Sequence, residues 1–481
     1  MKKIALILVA AVLLFLVGSF YSYRLVQDPP GLTIDEAAIG YNAVLIAKTG
    51  HDETGRFLPL FALTINGRDW KQPSSIYATA ILFKFFGASV FNLRLISVLT
   101  ALISFVLIVY LNYLLLGSRG AVVSGFLFLT VPTIMMHSHL GQENIMPVPF
   151  VCTWLIGILL FKKHGRWPYL LLAGLALGLS IYSYKGMRAI VPPLIGVTFL
   201  YLLSSWDWKG VLIFLIGLSP FVMIMPWVNS HYAGALFDNQ GFHQVRYYDF
   251  LYPYLSSFDL SALFIKGDNT PWHSTGFHGM FLISTLPLYL LGLTFAFRRH
   301  KFGYYWLFLL AGFFMTPFLF SQAGPLGSVY RFSRLLVFVP YVVTFCTLGV
   351  LSLLKFRGGR WLVTVVAIMI LFNFADFAKY YWFVYPVFRR GNFSQNVETS
   401  FKKLAVLSAE KSLTPYIFID DYNAYSEDAH FFEAAYFNQK IHPWKPGEKL
   451  PAKALLMTKL VSQPGMTTLS LDGPFSYLIK K

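Results

Sequence analysis

The sequence predicts an α-helical polytopic membrane protein with about eleven transmembrane helices, interfacial helices in its first outer loop, and a small α/β domain at the C terminus. Three observations carry this. Of 481 residues, 56% are hydrophobic, 18% aromatic and only 13% charged, and the mean hydropathy is +0.58, whereas soluble chains carry roughly 25% charged residues. Apolar runs of spanning length recur from the first residues to about 379. Beyond them the composition turns mixed, with short helix and strand patterns.

The net charge of +17 first suggests nucleic acid. Its Lys and Arg residues sit beside apolar runs, however, as basic loop residues of a membrane protein do, so no nucleic-acid partner is expected. Cys152 and Cys346 both lie inside apolar runs, where a disulfide framework is implausible, and they leave the redox compartment open.

The chain opens MKKIALILVAAVLLFLVGSFYSYRL, a basic start followed by a run of about 19 apolar residues. That is long for a signal core, and no small-x-small cleavage site closes it, so a retained first helix is expected. Tyr21, Tyr23 and Arg24 read as interface anchors. Further spans are predicted near 93–116, 121–138, 146–161, 168–184, 189–204, 210–228, 277–297, 303–320, 335–354 and 361–379.

Orientation follows from the short loops. Lys2 and Lys3, Arg119, KKHGR at 162–166, Lys209, RRHK at 298–301, and Lys355, Arg357 and Arg360 fall on one side. The positive-inside rule makes that side the cytoplasm. The longer connections at 24–92, 139–145, 229–276 and 321–334, and the tail from about 380, then face outward. The expected location is a cytoplasmic (inner) membrane, crossed many times, with the N terminus cytoplasmic and the C-terminal domain extracytoplasmic.

In the tail, KKLAVLSAEKSLTPYIFIDD reads as helix then strand, DAHFFEAAYFNQ as a helix, and ALLMT, MTTLSL and FSYLI as strands. The expected division is a transmembrane domain over 1–383 and an α/β domain over 384–481. No internal repeat or low-complexity segment appears, which weighs against an inverted-repeat transporter.

The first outer loop is the most informative segment. GLTIDEAAIGYN at 31–42 places Asp35 and Glu36 side by side about a dozen residues past the first span. AAIGYNAVLIAKTG and SSIYATAILFKFFG follow as helix-length apolar segments suited to the interface. No GxxxxGK[ST] or GxGxxG loop occurs on a soluble segment, so a cytosolic nucleotide donor has no cradle. A transferase on the outer face must instead use a membrane-borne activated donor, and a polyprenyl-phosphate sugar fits. Its phosphate leaves, an acceptor hydroxyl attacks the anomeric carbon, and a carboxylate takes the hydroxyl proton, a step worth roughly 100- to 10,000-fold. The departing phosphate needs Lys, Arg or a metal.

GLTIDEAAIGYNA followed by WKQPSSIYATAILFKFFGASVFNLRLIS resembles the first outer loop of GT-C glycosyltransferases of the protein O-mannosyltransferase and aminoarabinose (lipid A) transferase group, in the bacterial type. That group carries an acidic pair after the first helix, a Lys-Pro-Pro-like segment, an interfacial helix ending in Phe-Gly and an Arg opening the second span. HSHLGQENIMPVPF is similar to the group's second outer loop and its acidic residue, matched here by Glu143. IYSYKGMRAIVPP and FIKGDNTPWHSTGFHG are similar to later outer loops. KQP departs from Lys-Pro-Pro, and the tail is not a β-trefoil, so the resemblance bears on reaction class more than on the acceptor. It implies a GT-C fold and an inverting transfer.

The candidate catalytic residues are Asp35 as general base, Glu36 and Glu143. Each has a structural alternative: Asp35 as an N-cap, Glu36 as a solvated first-turn acid, Glu143 as a helix-start acid. The candidate substrate-binding residues are Lys71, Arg94, Arg188, Arg331 and Arg334. Lys71 reads equally as a headgroup anchor, and Arg188, Arg331 and Arg334 as snorkelling cations. Arg94, entering an apolar span, needs a partner. YRFSR places Arg331 and Arg334 on nearly one face, where a phosphate could bind. His137, His139, His273 and His278 raise a metal site, but HSH lacks metal-ligand helical spacing, so no metal ligand is assigned. No cofactor is required by the sequence, and a divalent metal stays open.

The expected partners are the lipid bilayer, a polyprenyl-phosphate-linked sugar donor and a glycosyl acceptor that is protein, lipid or glycan. The alternatives are a transporter or flippase of a lipid-linked sugar, which would place ionisable groups near mid-span, and a noncatalytic scaffold.

Overall fold

The computed structural model describes residues 2–236, 247–298, 303–320, 329–394, 396–460, 463, 465–472 and 475–480. Arg299, His300 and Lys301 of the basic run, and parts of the 229–276 and 321–334 connections, lie outside the described residues. The chain divides into two units. One comprises Met1–Tyr23, Ser97–His139 and Glu143–Phe383, and the other Arg24–Ile96, Leu140–Gln142 and Val384–Lys481. The expected division at 383/384 coincides with the point where the second unit resumes, but that unit also takes in the first outer loop and three residues of the second.

The first unit is built of apolar helices, and the chain is a multi-pass membrane protein. Among the described residues, five helical stretches are long and apolar enough to cross a bilayer: Val90–Leu129, Glu143–His164, Trp208–His231, Leu336–Leu353 and Gly359–Phe388. Ala11–Ser22, Pro168–Ser180, Met187–Leu203, Ile283–Arg298 and Gly303–Met315 are shorter apolar helices. The apolar runs read from the sequence fall on these helices. Val90–Leu129 holds one run and much of the next, divided where Gly117 leaves helical geometry (φ 76°, ψ −170°).

Small residues bring these helices together. A Cβ on Gly174 would lie 2.2 Å from the Phe214 carbonyl oxygen, and one on Gly217 would lie 2.4 Å from that of Leu171. The helices Pro168–Ser180 and Trp208–Met223 thus touch backbone to backbone. Gly292 and Gly349 do the same for Leu286–Arg298 and Val339–Leu353, with Cβ positions 1.8 and 2.1 Å from the Phe345 and Leu288 oxygens. Apolar tails offer helices no hydrophobic gain over lipid, so such close packing and interhelical hydrogen bonds hold them. Asn112 Nδ2 donates to Thr344 Oγ1 at 3.1 Å, and Tyr305 Oη to the Leu155 carbonyl at 2.7 Å. Tyr21, expected at an interface, is instead fully buried and donates to the Phe128 carbonyl.

The second unit joins loop helices to an α/β tail. Ile34–Thr49 and Pro73–Phe86 come from the loop, separated by a small antiparallel ribbon pairing Ala62–Thr64 with Asp69–Lys71. In the tail, the helices Val397–Glu410, Ile419–Ala424 and Ser426–Tyr436 accompany a five-stranded mixed sheet. Its order is His442–Trp444, Thr414–Phe418, Ala454–Thr458, Phe475–Lys480, Met466–Asp472, with the first two pairings parallel and the last two antiparallel. His442–Trp444 carried no strand signal, because three residues containing a proline suit only an edge.

Ile34–Thr49 is enclosed along much of its length. Glu36 through Gly40 and Asn42 through Val44 are buried, and the helix packs against both Pro73–Phe86 and Ser426–Tyr436. Gly40 permits the second contact, since a Cβ there would sit 2.9 Å from the Phe431 ring. Pro73–Phe86 keeps an exposed apolar edge at Ile81, Phe85 and Phe86, as an interfacial helix needs.

Candidate active site

The helix Ile34–Thr49 begins with a complete capping box. Thr33 Oγ1 accepts from the Glu36 amide at 3.2 Å, and Glu36 Oε2 accepts from the Thr33 amide at 2.9 Å. The cap expected of Asp35 therefore belongs to Thr33, because the threonine just before the helix reaches the Glu36 amide and Asp35 is already inside the helix. Asp35 is freed from a capping role and its side chain is 45% exposed.

Glu36 is fully buried rather than solvated. Its Oε1 accepts from Arg94 Nε at 2.9 Å and from the Gly141 amide at 2.8 Å. Arg94 is equally enclosed. Its Nη1 donates to the carbonyls of Leu25 and Pro29, each at 2.9 Å, and its Nη2 donates to that of Gly31. One guanidinium thus ties the 25–31 turn, the start of the helix and, through Glu36, the second outer loop at Gly141. Gln142 Nε2 adds a bond to Thr33 Oγ1 at 2.9 Å.

Lys71, at the end of the ribbon, is buried and pairs with Asp35 Oδ1 and with Asp69 Oδ2, the latter at 2.7 Å. Asp69 holds the ammonium from its own strand, and the ammonium holds Asp35. The result is a carboxylate with one oxygen fixed by a cation and nearly half its surface open: an arrangement that can accept a proton from a small molecule.

The tail contributes to the same unit. Tyr41 stacks on His430 with ring centroids 5.3 Å apart, and Phe83 on Phe431 at 6.1 Å. Burial pushes the Asp428 carboxyl up to about 7 against a bond from Ser394 Oγ. Burial and the neighbouring Glu427 charge push Glu53 to about 7 as well. No sequence signal marked Glu53, Glu427 or Asp428, because their burial depends on pairing a loop helix with a tail helix some 390 residues on.

In the first unit, Glu143 is buried in a short helical turn, Glu143–Ile145. Its neighbour Asn144 bonds to Ser333, which lies between Arg331 and Arg334, so the second-loop turn meets the YRFSR segment. Asp268, of the FIKGDN segment, receives the Ser333 amide at 2.7 Å through Oδ2 and the Thr270 amide at 2.8 Å through Oδ1. Asn144 Nδ2 donates to the Ser333 carbonyl at 3.0 Å. Nothing in the sequence distinguishes Asp268, one acid in a polar loop.

Arg188 donates through Nη1 to the Leu236 carbonyl at 3.2 Å. His137 and His273 stack at 5.0 Å, and His278 Nε2 meets Asp376 at 3.2 Å. His139 packs near Tyr381. Among the described residues, no three His, Cys, Asp or Glu side chains converge in a way that could hold a metal ion.

A family model described as dolichyl-phosphate-mannose-protein mannosyltransferase matches residues 71–228. The solved structure of ArnT from Cupriavidus metallidurans in the apo state is similar over 99% of this chain and 98% of that one, with a TM-score of 0.56 and 15% identity. The same protein bound to undecaprenyl phosphate matches over 97% of both chains, with a TM-score of 0.55 and 14% identity. The apo oligosaccharyltransferase of Archaeoglobus fulgidus matches over 90% of this chain and 64% of that one, with a TM-score of 0.50 and 14% identity. No curated protein matches the sequence. The resemblance read from the loop motifs is borne out, and the fold is the GT-C fold.

Proposed function

We propose that this chain is a membrane glycosyltransferase that moves a monosaccharide from a polyprenyl-phosphate-linked donor to an acceptor on the outer face of the cytoplasmic membrane, with inversion. The single observation that carries the reading is the Lys71–Asp35 pair, an exposed carboxylate oriented by a buried ammonium at the start of a rigidly capped helix. The family model over 71–228 and the undecaprenyl phosphate bound by the ArnT structure support the choice of donor.

Asp35 is the general base. It removes the acceptor hydroxyl's proton as that oxygen attacks the anomeric carbon and the lipid phosphate departs from the opposite face, which inverts the centre. Lys71 keeps Asp35 in place. Glu36 and Arg94 act through the loop that they tie, since both are enclosed. Arg331 and Arg334 are assigned to the donor phosphate, where guanidinium forks suit a phosphoryl group. Glu143 and Asp268 set the charge around them, and Arg188 is a further donor contact.

The test uses purified protein and a panel of polyprenyl-phosphate monosaccharides, with released polyprenyl phosphate as the readout. Release that depends on an added acceptor supports the transferase. A lipid-linked sugar moved across vesicles with its phosphate bond intact supports the transporter instead.

A further inference from the structure

The connections that carry FIKGDN and YRFSR are joined residue by residue. The Asn269 amide donates to the Tyr330 carbonyl at 3.1 Å, and its Nδ2 donates to the Val329 carbonyl at 2.9 Å. Asp268 Oδ2 takes the Ser333 amide at 2.7 Å, while its Oδ1 takes the Thr270 amide at 2.8 Å and the Thr270 hydroxyl. The Ser333 carbonyl is taken as well, by Asn144 Nδ2 at 3.0 Å. Side chains of two other loops therefore bind both backbone groups of the serine that lies between Arg331 and Arg334. The Arg334 amide returns to the Arg331 carbonyl at 3.1 Å, so both arginines ride on one tight turn.

The backbone shows how firmly this turn is imposed. Tyr330 has a φ of 62°, a left-handed conformation that a residue with a side chain holds only where its surroundings dictate it. Gly267, with a φ of 77°, leads into Asp268, and a Cβ there would lie 2.4 Å from Ser274 Oγ and 2.6 Å from the His278 carbonyl oxygen. Asp268 therefore stands on a loop packed closely against itself. Bonds from amides to a carboxylate are of the stronger, charge-assisted kind.

We propose that Asp268 and Asn269 are positioning residues for donor binding: with Asn144 they clamp the 329–334 turn and so fix how Arg331 and Arg334 meet the lipid phosphate. The inference rests on the assignment of those two arginines to the donor phosphate, and it gives Asp268 a role beyond the charge it brings. Guanidinium forks bind a phosphoryl group only in a defined geometry. On an unclamped turn they would lose affinity to the ordering of the turn itself.

The experiment measures binding of undecaprenyl phosphate, and of undecaprenol as the phosphate-free control, to the full-length protein and its variants. Asp268→Asn keeps one acceptor oxygen where the wild type uses two, and it should weaken undecaprenyl phosphate binding roughly tenfold, the scale of one charge-assisted hydrogen bond. Asn269→Ala and Asn144→Ala, which each remove one neutral bond, should weaken it roughly threefold. Undecaprenol binding should stay within about twofold, and in turnover the donor KM should rise while kcat and the acceptor KM hold. On top of Arg331→Ala, Asp268→Asn should cost much less than it does alone, because it acts through the arginine. An equal loss with and without Arg331 overturns the inference, as does a variant that loses stability but binds normally per folded molecule. Wild-type affinity in Asp268→Asn and Asn269→Ala beside weakened Arg331→Ala and Arg334→Ala overturns the clamp and spares the phosphate assignment. Wild-type affinity in both arginine variants removes that assignment and the inference with it. Should Asp268→Asn fail to fold, Asn269→Ala and Asn144→Ala read the same effect at the smaller scale.

Discussion

Glu36 and Arg94 form an ion pair in which both side chains are fully enclosed, 2.9 Å apart, with every nitrogen of the guanidinium engaged by Glu36 or by carbonyls of the 25–31 turn. Breaking a buried pair leaves one charge without compensation, at a cost of about 3–5 kcal/mol. Arg94→Ala and Glu36→Gln should each lower the thermal unfolding temperature strongly. The double variant should cost much less than the sum, which a double-mutant cycle reads directly. Additive losses would mean that the pair is not the coupling element.

The loop helix was legible as a helix, and its acids as candidates, but the partners each acid takes in the fold were not. A sequence shows two adjacent carboxylates. Only the backbone shows that Thr33 takes the cap, which turns Glu36 inward to Arg94 and leaves Asp35 outward to Lys71. The apolar runs, the tail's helix-strand order and the second-loop acid were readable because each is written in local periodicity or a short motif. The partnership of Ile34–Thr49 with Ser426–Tyr436 was not, because it depends on Gly40 admitting Phe431 across a large separation in sequence. A buried glycine–phenylalanine contact leaves no periodic trace.

Stability should fall as pH rises from about 4 to about 7. The ordinary values of Asp428 and Glu53 are 3.8 and 4.5, and the fold raises both to about 7. The folded chain thus holds protons that the unfolded chain has released, so their contribution is complete below the ordinary values and is lost as pH rises through the folded ones. Unfolding temperatures measured in detergent at pH 5 and pH 8 should show the drop. Asp428→Asn should flatten it, and an unchanged slope in that variant would assign the effect elsewhere.

Orientation can be read by labelling. In a background lacking Cys152 and Cys346, single cysteines at Thr54 and Ser426 should react with an impermeant maleimide in intact cells whose outer envelope, if there is one, has been made passable. Labelling that requires lysis would reverse the predicted topology.

Lys71→Met removes the ammonium and keeps the length of the chain. Under this account it should leave the fold in place, because Asp69 and Asp35 both reach solvent, and lower kcat by roughly 10- to 100-fold through loss of Asp35 orientation. A change confined to donor affinity would make Lys71 a phosphate ligand instead.

The central claim is that Asp35 accepts the proton of the acceptor hydroxyl. Asp35→Asn keeps the shape of the side chain and leaves the Thr33 capping box untouched, but it cannot take that proton. The direct measurement is single-turnover transfer by Asp35→Asn, with polyprenyl phosphate affinity measured on the same preparation. The account predicts transfer slowed by at least about 100-fold with lipid-phosphate affinity preserved. Transfer at close to the wild-type rate would contradict it and move the base to another carboxylate.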